Sequence, residues 1–124
     1  MEDLSKSLPI YIRIVQGVED AILSGQLKEE EQVPSTTHLS KEYNINIATV
    51  NKAINLLVDQ GLVYKKRGIG MFVKKGALKE LIAERRKVFK ERYVKATLIE
   101  AKRLNFTVEE FQEIVKEAYK ETNF

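Results

Sequence analysis

The chain has 124 residues, 44% of them hydrophobic, enough for one compact unit and an appendage. It has no cysteine, which excludes disulfides and thiolate metal sites, and its apolar runs are too short to cross a bilayer. The net charge of +3 is only a mild bias towards acidic partners. Residues 1–10 lack an apolar core of signal-peptide length, so we expect a cytoplasmic protein without a membrane partner.

Three helices are predicted in the first half of the chain. Apolar residues at helical spacing predict helices over 9–24, 36–43 and 47–60. Ser35 is a good N-cap for the second helix, and Asn46 is placed to cap the third. The residues 44–46 between them suit a tight turn, because asparagine tolerates left-handed backbone geometry. The connector 26–34 contains three consecutive glutamates, 29–31, which we expect to face solvent.

A β-hairpin is predicted next. The runs 62–64 and 71–73 are of β type, and the basic loop between them contains Gly68 and Gly70. Two helices about a tight turn followed by a hairpin predict a winged helix-turn-helix, with the motif at about 36–60 and the wing at 62–74.

The C-terminal part has a different character. Residues 77–104 are highly charged and free of glycine and proline, which predicts one long helix, and Thr107 opens a capping box for a second. The predicted fold class is therefore mainly α with a small β-hairpin. A winged helix-turn-helix domain over 1–75 precedes a C-terminal α-helical hairpin over 76–124.

The second helix of the motif would be the recognition helix. Its exposed face near the N-terminus would present Asn46, Ala48, Thr49, Asn51 and Lys52. The methyl groups of this set suit thymine, asparagine suits adenine, and lysine suits phosphate or guanine. The same helix pattern also occurs in protein adaptors, so the helices alone leave the two functions open.

The predicted wing favours DNA. Lys66 and Arg67 precede Gly68 and Gly70, and glycine lets a backbone approach nucleic acid without obstruction. Arg67 is then placed to enter a narrow minor groove or to clamp a phosphate. An ordinary turn with solubilising lysines is the alternative.

Taken together, these segments carry a family resemblance. The stretch VPSTTHLSKEYNINIATVNKAINLLVDQGLVYKKRGIGMFV resembles the DNA-binding domain of GntR-family transcription regulators, and the likeness covers roughly residues 9–75. The short tail of two helices resembles the YtrA-type branch, in which such a tail serves dimerisation. The resemblance implies a homodimer on double-stranded DNA with a palindromic operator, most often acting as a repressor.

The resemblance also implies site residues. The family touches DNA from the start of the motif's first helix, from the recognition helix and from the wing tip. The matching positions here are Ser35, Thr36, Thr37, Thr49, Asn51, Arg67, Gly68 and Gly70. Many members have arginine where this chain has Thr37 and Ile47. That departure makes guanine readout at both positions doubtful and favours an AT-rich operator.

The tail predicts the dimer independently of the resemblance. A pair of helices projecting from a small domain would leave apolar side chains without a partner, and a second copy is the commonest one. The predicted interface residues are Leu78, Ile82, Phe89, Tyr93, Ile99, Phe111, Val115 and Tyr119. A tail that folds back on its own domain is the alternative.

No enzyme is predicted. His38 is the single histidine and is expected to touch phosphate or simply to face water. The sequence offers no set of nucleophile, base and orienting group, and no metal site or cofactor is expected. The alternatives to a sequence-specific regulator are a winged-helix adaptor and a non-specific architectural DNA binder. A small-molecule effector of unknown identity also stays open.

Overall fold

The computed structural model describes residues 8–122. Its elements are α1 (Ile10–Ser24), α2 (Thr36–Tyr43), α3 (Ile47–Asp59), β1 (Val63–Lys66), β2 (Gly70–Val73), α4 (Ala77–Val88), a π-helical segment (Phe89–Val94), α5 (Lys95–Arg103) and α6 (Val108–Glu121). The predicted fold class, mainly α with one small hairpin, is confirmed.

Helix α1 supplies one wall of the core of the first unit. It buries Ile14, Val15, Val18 and Ile22, a set at helical spacing. Gly17 lies on another face, where a Cβ atom would come within 2.9 Å of the hydroxyl oxygen of Tyr43 in α2. The glycine thus makes room for a side chain from the next helix.

Helices α2 and α3 form the predicted helix-turn-helix. The Ser35 hydroxyl accepts a hydrogen bond from the amide of His38 at 3.0 Å, which confirms its role as the cap of α2. Asn44 ends α2 in the left-handed conformation, as predicted. Asn46 stands at the N-cap position of α3 with extended backbone, but its side chain makes no capping hydrogen bond. The prediction that it caps α3 is therefore wrong.

A segment outside the hairpin pairs with its second strand, which the sequence did not indicate. Strands β1 and β2 are antiparallel, with Val63 opposite Val73 and Lys66 opposite Gly70. The connector before α2 runs along β2 as well: Val33 N donates to Met71 O at 2.8 Å, and Glu30 N donates to Val73 O at 2.8 Å. The segment that leads into α2 is thereby fixed to the wing.

The three glutamates of the connector are exposed, as expected, and each also accepts a hydrogen bond. Glu29 Oε1 accepts from the amide of Leu78 at the start of α4, at 3.4 Å. Glu30 accepts from the hydroxyl of Tyr64, and Glu31 accepts from the amide of Lys28 at 2.8 Å. Glu29 and Glu30 therefore link the connector to α4 and to β1, whereas the bond to Glu31 lies within the connector.

The chain divides into two compact units, one ending at Ala83 and one beginning at Glu84. The first unit extends beyond the predicted boundary at residue 75, because Ala77 and Leu81 of α4 are buried in its core. Leu78 is partly buried against the same core.

The second unit is built from the end of α4, the π-helical segment, α5 and α6. The long helix predicted over 77–104 is interrupted by the π-helical residues 89–94, which the sequence pattern did not reveal. The capping box of α6 is confirmed: Thr107 Oγ1 accepts from the amide of Glu110, and Glu110 Oε1 accepts from that of Thr107. Ala101 is the only buried hydrophobic residue in the part of this unit that the structure describes.

Candidate nucleic-acid interface

Helix α3 has one buried and one exposed face. Its buried residues are Val50, Ala53, Ile54 and Leu57. Ala48, Asn51, Lys52 and Asn55 are all exposed, and their spacing of three and four residues places them on one face. Asn46 is exposed as well, whereas Thr49 is half-buried. The helix thus presents a row of small and polar side chains to solvent, as a DNA-recognition helix does.

The start of α2 contributes a second set of exposed polar groups. Ser35, Thr37 and His38 are exposed and Thr36 is half-buried. His38 Nε2 lies 3.4 Å from a carboxylate oxygen of Glu42, and both side chains are more than half exposed. The imidazole therefore already has an acidic neighbour, and a phosphate would have to compete with it.

The hairpin loop carries the third set. Lys66, Arg67 and Gly68 are exposed, and Gly70 is half-buried beside Gln32. Gly70 has a φ of 146°, and a Cβ atom there would lie 2.5 Å from the Gln32 amide nitrogen. Only glycine fits this position without displacing Gln32.

A cleft between α3 and the hairpin brings these sets together. It is open to solvent, has a volume of about 520 Å³ and is lined by both apolar and polar residues. Its lining includes Ser35, Thr36, Asn51, Asn55, Lys65 and Gly70. Three segments that are distant in sequence thus border one concave surface. The other predicted site residues are not part of that lining: Thr37, His38, Asn46, Ala48, Thr49, Lys52, Lys66, Arg67 and Gly68.

Two exposed lysines that are expected to contact DNA also lie over aromatic rings. The Lys52 ammonium is 4.1 Å from the centre of the Tyr11 ring in α1, and the Lys66 ammonium is 4.3 Å from that of Phe72. Such cation–π contacts stabilise an exposed lysine by about 0.5–1 kcal/mol. The aromatic rings thus fix the positions of both ammonium groups. The contact of Lys52 with Tyr11 was not predicted from the sequence, because the two residues lie far apart along the chain.

The residues predicted for a dimer interface lie in both units. Phe89, Tyr93, Ile99 and Val115 are 39–59% exposed and Tyr119 is 80% exposed, while Phe111 is half-buried. Ile82 is 37% exposed but lies in the first unit, as does Leu78, which packs against that unit's core.

Metal-binding clusters and membrane-spanning helices are both absent from the described residues. Across residues 8–122, no group of three or more histidine or acidic side chains is placed to hold a metal ion. No helix in the same range is long and apolar enough to cross a membrane.

Three helices, a hairpin and an exposed polar helix beside a basic loop define a winged helix-turn-helix protein. The family described as "Bacterial regulatory proteins, gntR family" matches residues 10–73. The chain therefore belongs to the GntR family, and the curated members that it resembles are DNA-binding transcriptional regulators. The resemblance seen in the sequence is confirmed.

The similarity to a curated repressor extends over most of the chain. The HTH-type transcriptional repressor YtrA of Bacillus subtilis is 30% identical over 115 residues, which cover 93% of this chain and 88% of YtrA. Other relatives match only in part. The arabinose metabolism transcriptional repressor of Geobacillus stearothermophilus is 32% identical over 77 residues, or 62% of this chain. The chain spans about a fifth to a third of the length of the first three curated relatives it matches.

Solved structures give the same assignment. A GntR-family transcriptional regulator from Bacteroides thetaiotaomicron is 31% identical and superposes with a TM-score of 0.76, covering 93% of this chain and all of the other. The DNA-binding domain of AraR in complex with operator ORR3 is 32% identical and superposes with a TM-score of 0.52, and the match covers 53% of this chain and 80% of that one. That relative binds DNA with the part of the fold shared here.

Proposed function

We propose that this protein is a sequence-specific transcriptional repressor that binds a palindromic operator as a homodimer. The proposal rests on the exposed polar face of α3 beside the basic hairpin, in a chain of the GntR family. In this proposal α3 enters the major groove and the hairpin follows the adjacent minor groove.

Base readout is assigned to α3. Asn51 is exposed on the face that borders the cleft, and an asparagine amide pairs with the N6 and N7 edge of adenine. Ala48 and Ile47 are exposed at the start of the helix, with Ile47 49% exposed. Their methyl groups suit the thymine methyl, which supports an AT-rich half-site.

Phosphate contacts are assigned to the edges of the cleft. Ser35 and Thr36 lie at the N-terminus of α2, where free amides and the helix dipole favour an anion. Lys66 and Arg67 flank the other side, on the hairpin loop. Contacts of this kind position a protein on the duplex and make its affinity dependent on salt.

The homodimer is assigned to the second unit, which cannot bury its own apolar residues. Phe89 and Tyr93 are more than half exposed, with ring centres 6.1 Å apart, and Leu104 and Val108 are more than half exposed too. An exposed aromatic and aliphatic surface of this kind marks a site of association. In the proposed homodimer, the same unit of a second copy covers this surface.

The distribution of charge in the second unit supports association with a second copy of the same chain. Helix α6 carries five glutamates and two lysines, whereas residues 84–103 carry eight basic and three acidic side chains. The acidic helix of one protomer is therefore complementary to the basic stretch of another. Opposite charges of this kind fix the orientation of an interface more than they add affinity.

Selection of duplexes from a random pool, followed by titration with excess competitor DNA, tests the proposal. We expect enrichment of an inverted repeat bound by two protomers, with affinity retained under competitor. Recovery of no consensus sequence, or binding that competitor abolishes, would identify a non-specific binder or an adaptor instead.

A further inference from the structure

The tip of the hairpin carries Ile69, an apolar residue that lines the cleft between α3 and the hairpin but has no role in the proposed function. Ile69 is 64% exposed and lies between Gly68 and Gly70, in a loop whose other side chains are basic. An isolated exposed isoleucine is ordinary on a protein surface. What distinguishes this one is the way in which its backbone is held.

Both peptide groups of Ile69 are fixed. Its amide donates to Lys66 O at 3.0 Å, and its carbonyl accepts from Gln32 Nε2 at 3.2 Å. Gln32 is itself fixed, because it forms a β-bridge with Phe72 on the second strand. The tip is thus tied both across its own turn and to the connector that leads into α2.

The neighbours of Ile69 let it approach a surface closely. Gly68 and Gly70 have no side chains to stand in front of it, and Arg67 lies only two residues away. A rigid tip with one apolar side chain between two glycines, preceded by a cation, suits a narrow, anionic groove. It is too small to form the core of a protein interface, which needs several adjacent apolar groups.

We propose that Ile69 is a specificity-determining residue that packs against the walls of the DNA minor groove and disfavours G·C pairs there. Guanine places its 2-amino group on the groove floor, where adenine has none. An isoleucine side chain cannot accept a hydrogen bond from that amino group, and covering it leaves a buried donor without a partner. The inference rests on the proposed function, since it requires the hairpin to lie in the minor groove.

The test compares base pairs at the position that the hairpin covers. Hydroxyl-radical footprints of the full-length wild type and of Arg67→Ala on the selected operator locate that position as the sugars whose protection Arg67→Ala loses. Operators carrying A·T, inosine·C or G·C there are then titrated by fluorescence anisotropy. Inosine lacks only the 2-amino group of guanine, so it isolates the proposed cause.

We expect wild type to bind the A·T and inosine·C operators equally and the G·C operator about tenfold more weakly, a common cost of one unfavourable base pair. Ile69→Ala should reduce that difference to about threefold or less. Ile69→Val, which keeps a branched apolar side chain, should retain most of it. Circular dichroism checks that the variants are folded, as the exposure of Ile69 leads us to expect.

Three results would each overturn the inference and leave the proposed function intact. The first is equal wild-type affinity for the A·T and G·C operators. The second is an affinity for the inosine·C operator as low as that for the G·C operator, and the third is an unchanged difference in Ile69→Ala. Failure of the wild type to prefer any operator over scrambled DNA would instead overturn the proposed function and this inference with it.

Discussion

The hydroxyl of Tyr64 in β1 donates a hydrogen bond to the carboxylate of Glu30, which lies 34 residues earlier in the chain. Glu30 has a φ of 67°, a left-handed conformation that few residues other than glycine adopt. The hydrogen bond joins this position in the connector to the first strand of the hairpin. It raises the pKa of Tyr64 above its usual value of 10.0, together with smaller contributions from burial and from the negative charge of Glu30.

This pKa shift predicts a loss of stability at alkaline pH. The protonated phenol is favoured in the folded state, so its contribution is fully present below pH 10 and is lost as pH rises through the folded pKa. Urea unfolding of wild type and Tyr64→Phe from pH 8 to pH 12 measures it. The free energy of unfolding of the wild type should fall more steeply above pH 10 than that of the variant. Parallel curves would show that the hydrogen bond does not persist in solution.

Gly17 and Tyr43 should be energetically coupled. In a helix interior, Gly17→Ala gains about 1 kcal/mol of helix propensity. Here the new methyl group would lie 2.9 Å from the Tyr43 hydroxyl oxygen, which has to move. Gly17→Ala should therefore stabilise Tyr43→Phe, which lacks that oxygen, more than it stabilises wild type. A double-mutant cycle of thermal unfolding measures this difference, and additive effects would contradict the close approach.

Phe89→Asp should dissociate the proposed dimer without unfolding the protomer. Phe89 is 57% exposed in one chain, so a carboxylate there costs little until a partner covers it. Covered and unpaired, the carboxylate would cost several kcal/mol. Sedimentation equilibrium should show monomers for Phe89→Asp and dimers for the control Gln112→Asp, which adds the same charge at an exposed polar position. A dimeric Phe89→Asp would exclude this residue from the interface.

Local signals allowed part of the fold to be predicted to the residue. Helix α2 has the predicted bounds because Ser35 caps its amides and Asn44 adopts the left-handed conformation at its end. Those interactions involve residues adjacent in sequence. The capping box at Thr107 was predictable for the same reason.

Features that depend on distant residues were not predictable. The pairing of the connector with β2 joins residues about 40 positions apart, and it leaves no periodicity in so short a segment. The burial of Ala77 and Leu81 depends on a core whose shape the helical pattern does not disclose.

Some features of the candidate site were likewise predictable from the sequence, and others were not. Exposure of Asn51 and Lys52 followed from the helical period, because the buried residues of α3 fix the opposite face. The ring of Tyr11 beneath Lys52 and the bond from Gln32 to the hairpin tip required the three-dimensional structure.

The central claim is that Asn51 of α3 reads the base sequence, whereas Arg67 of the hairpin binds the phosphate backbone of any DNA. The most direct test titrates the selected operator and a scrambled duplex with wild type, Asn51→Ala and Arg67→Ala at several salt concentrations. Asn51→Ala should cost about 1–3 kcal/mol on the operator and little on scrambled DNA. Arg67→Ala should weaken binding to both duplexes and lower the salt slope by about one per protomer. Equal affinity of the wild type for both duplexes, or unchanged affinities in Arg67→Ala, would contradict the claim.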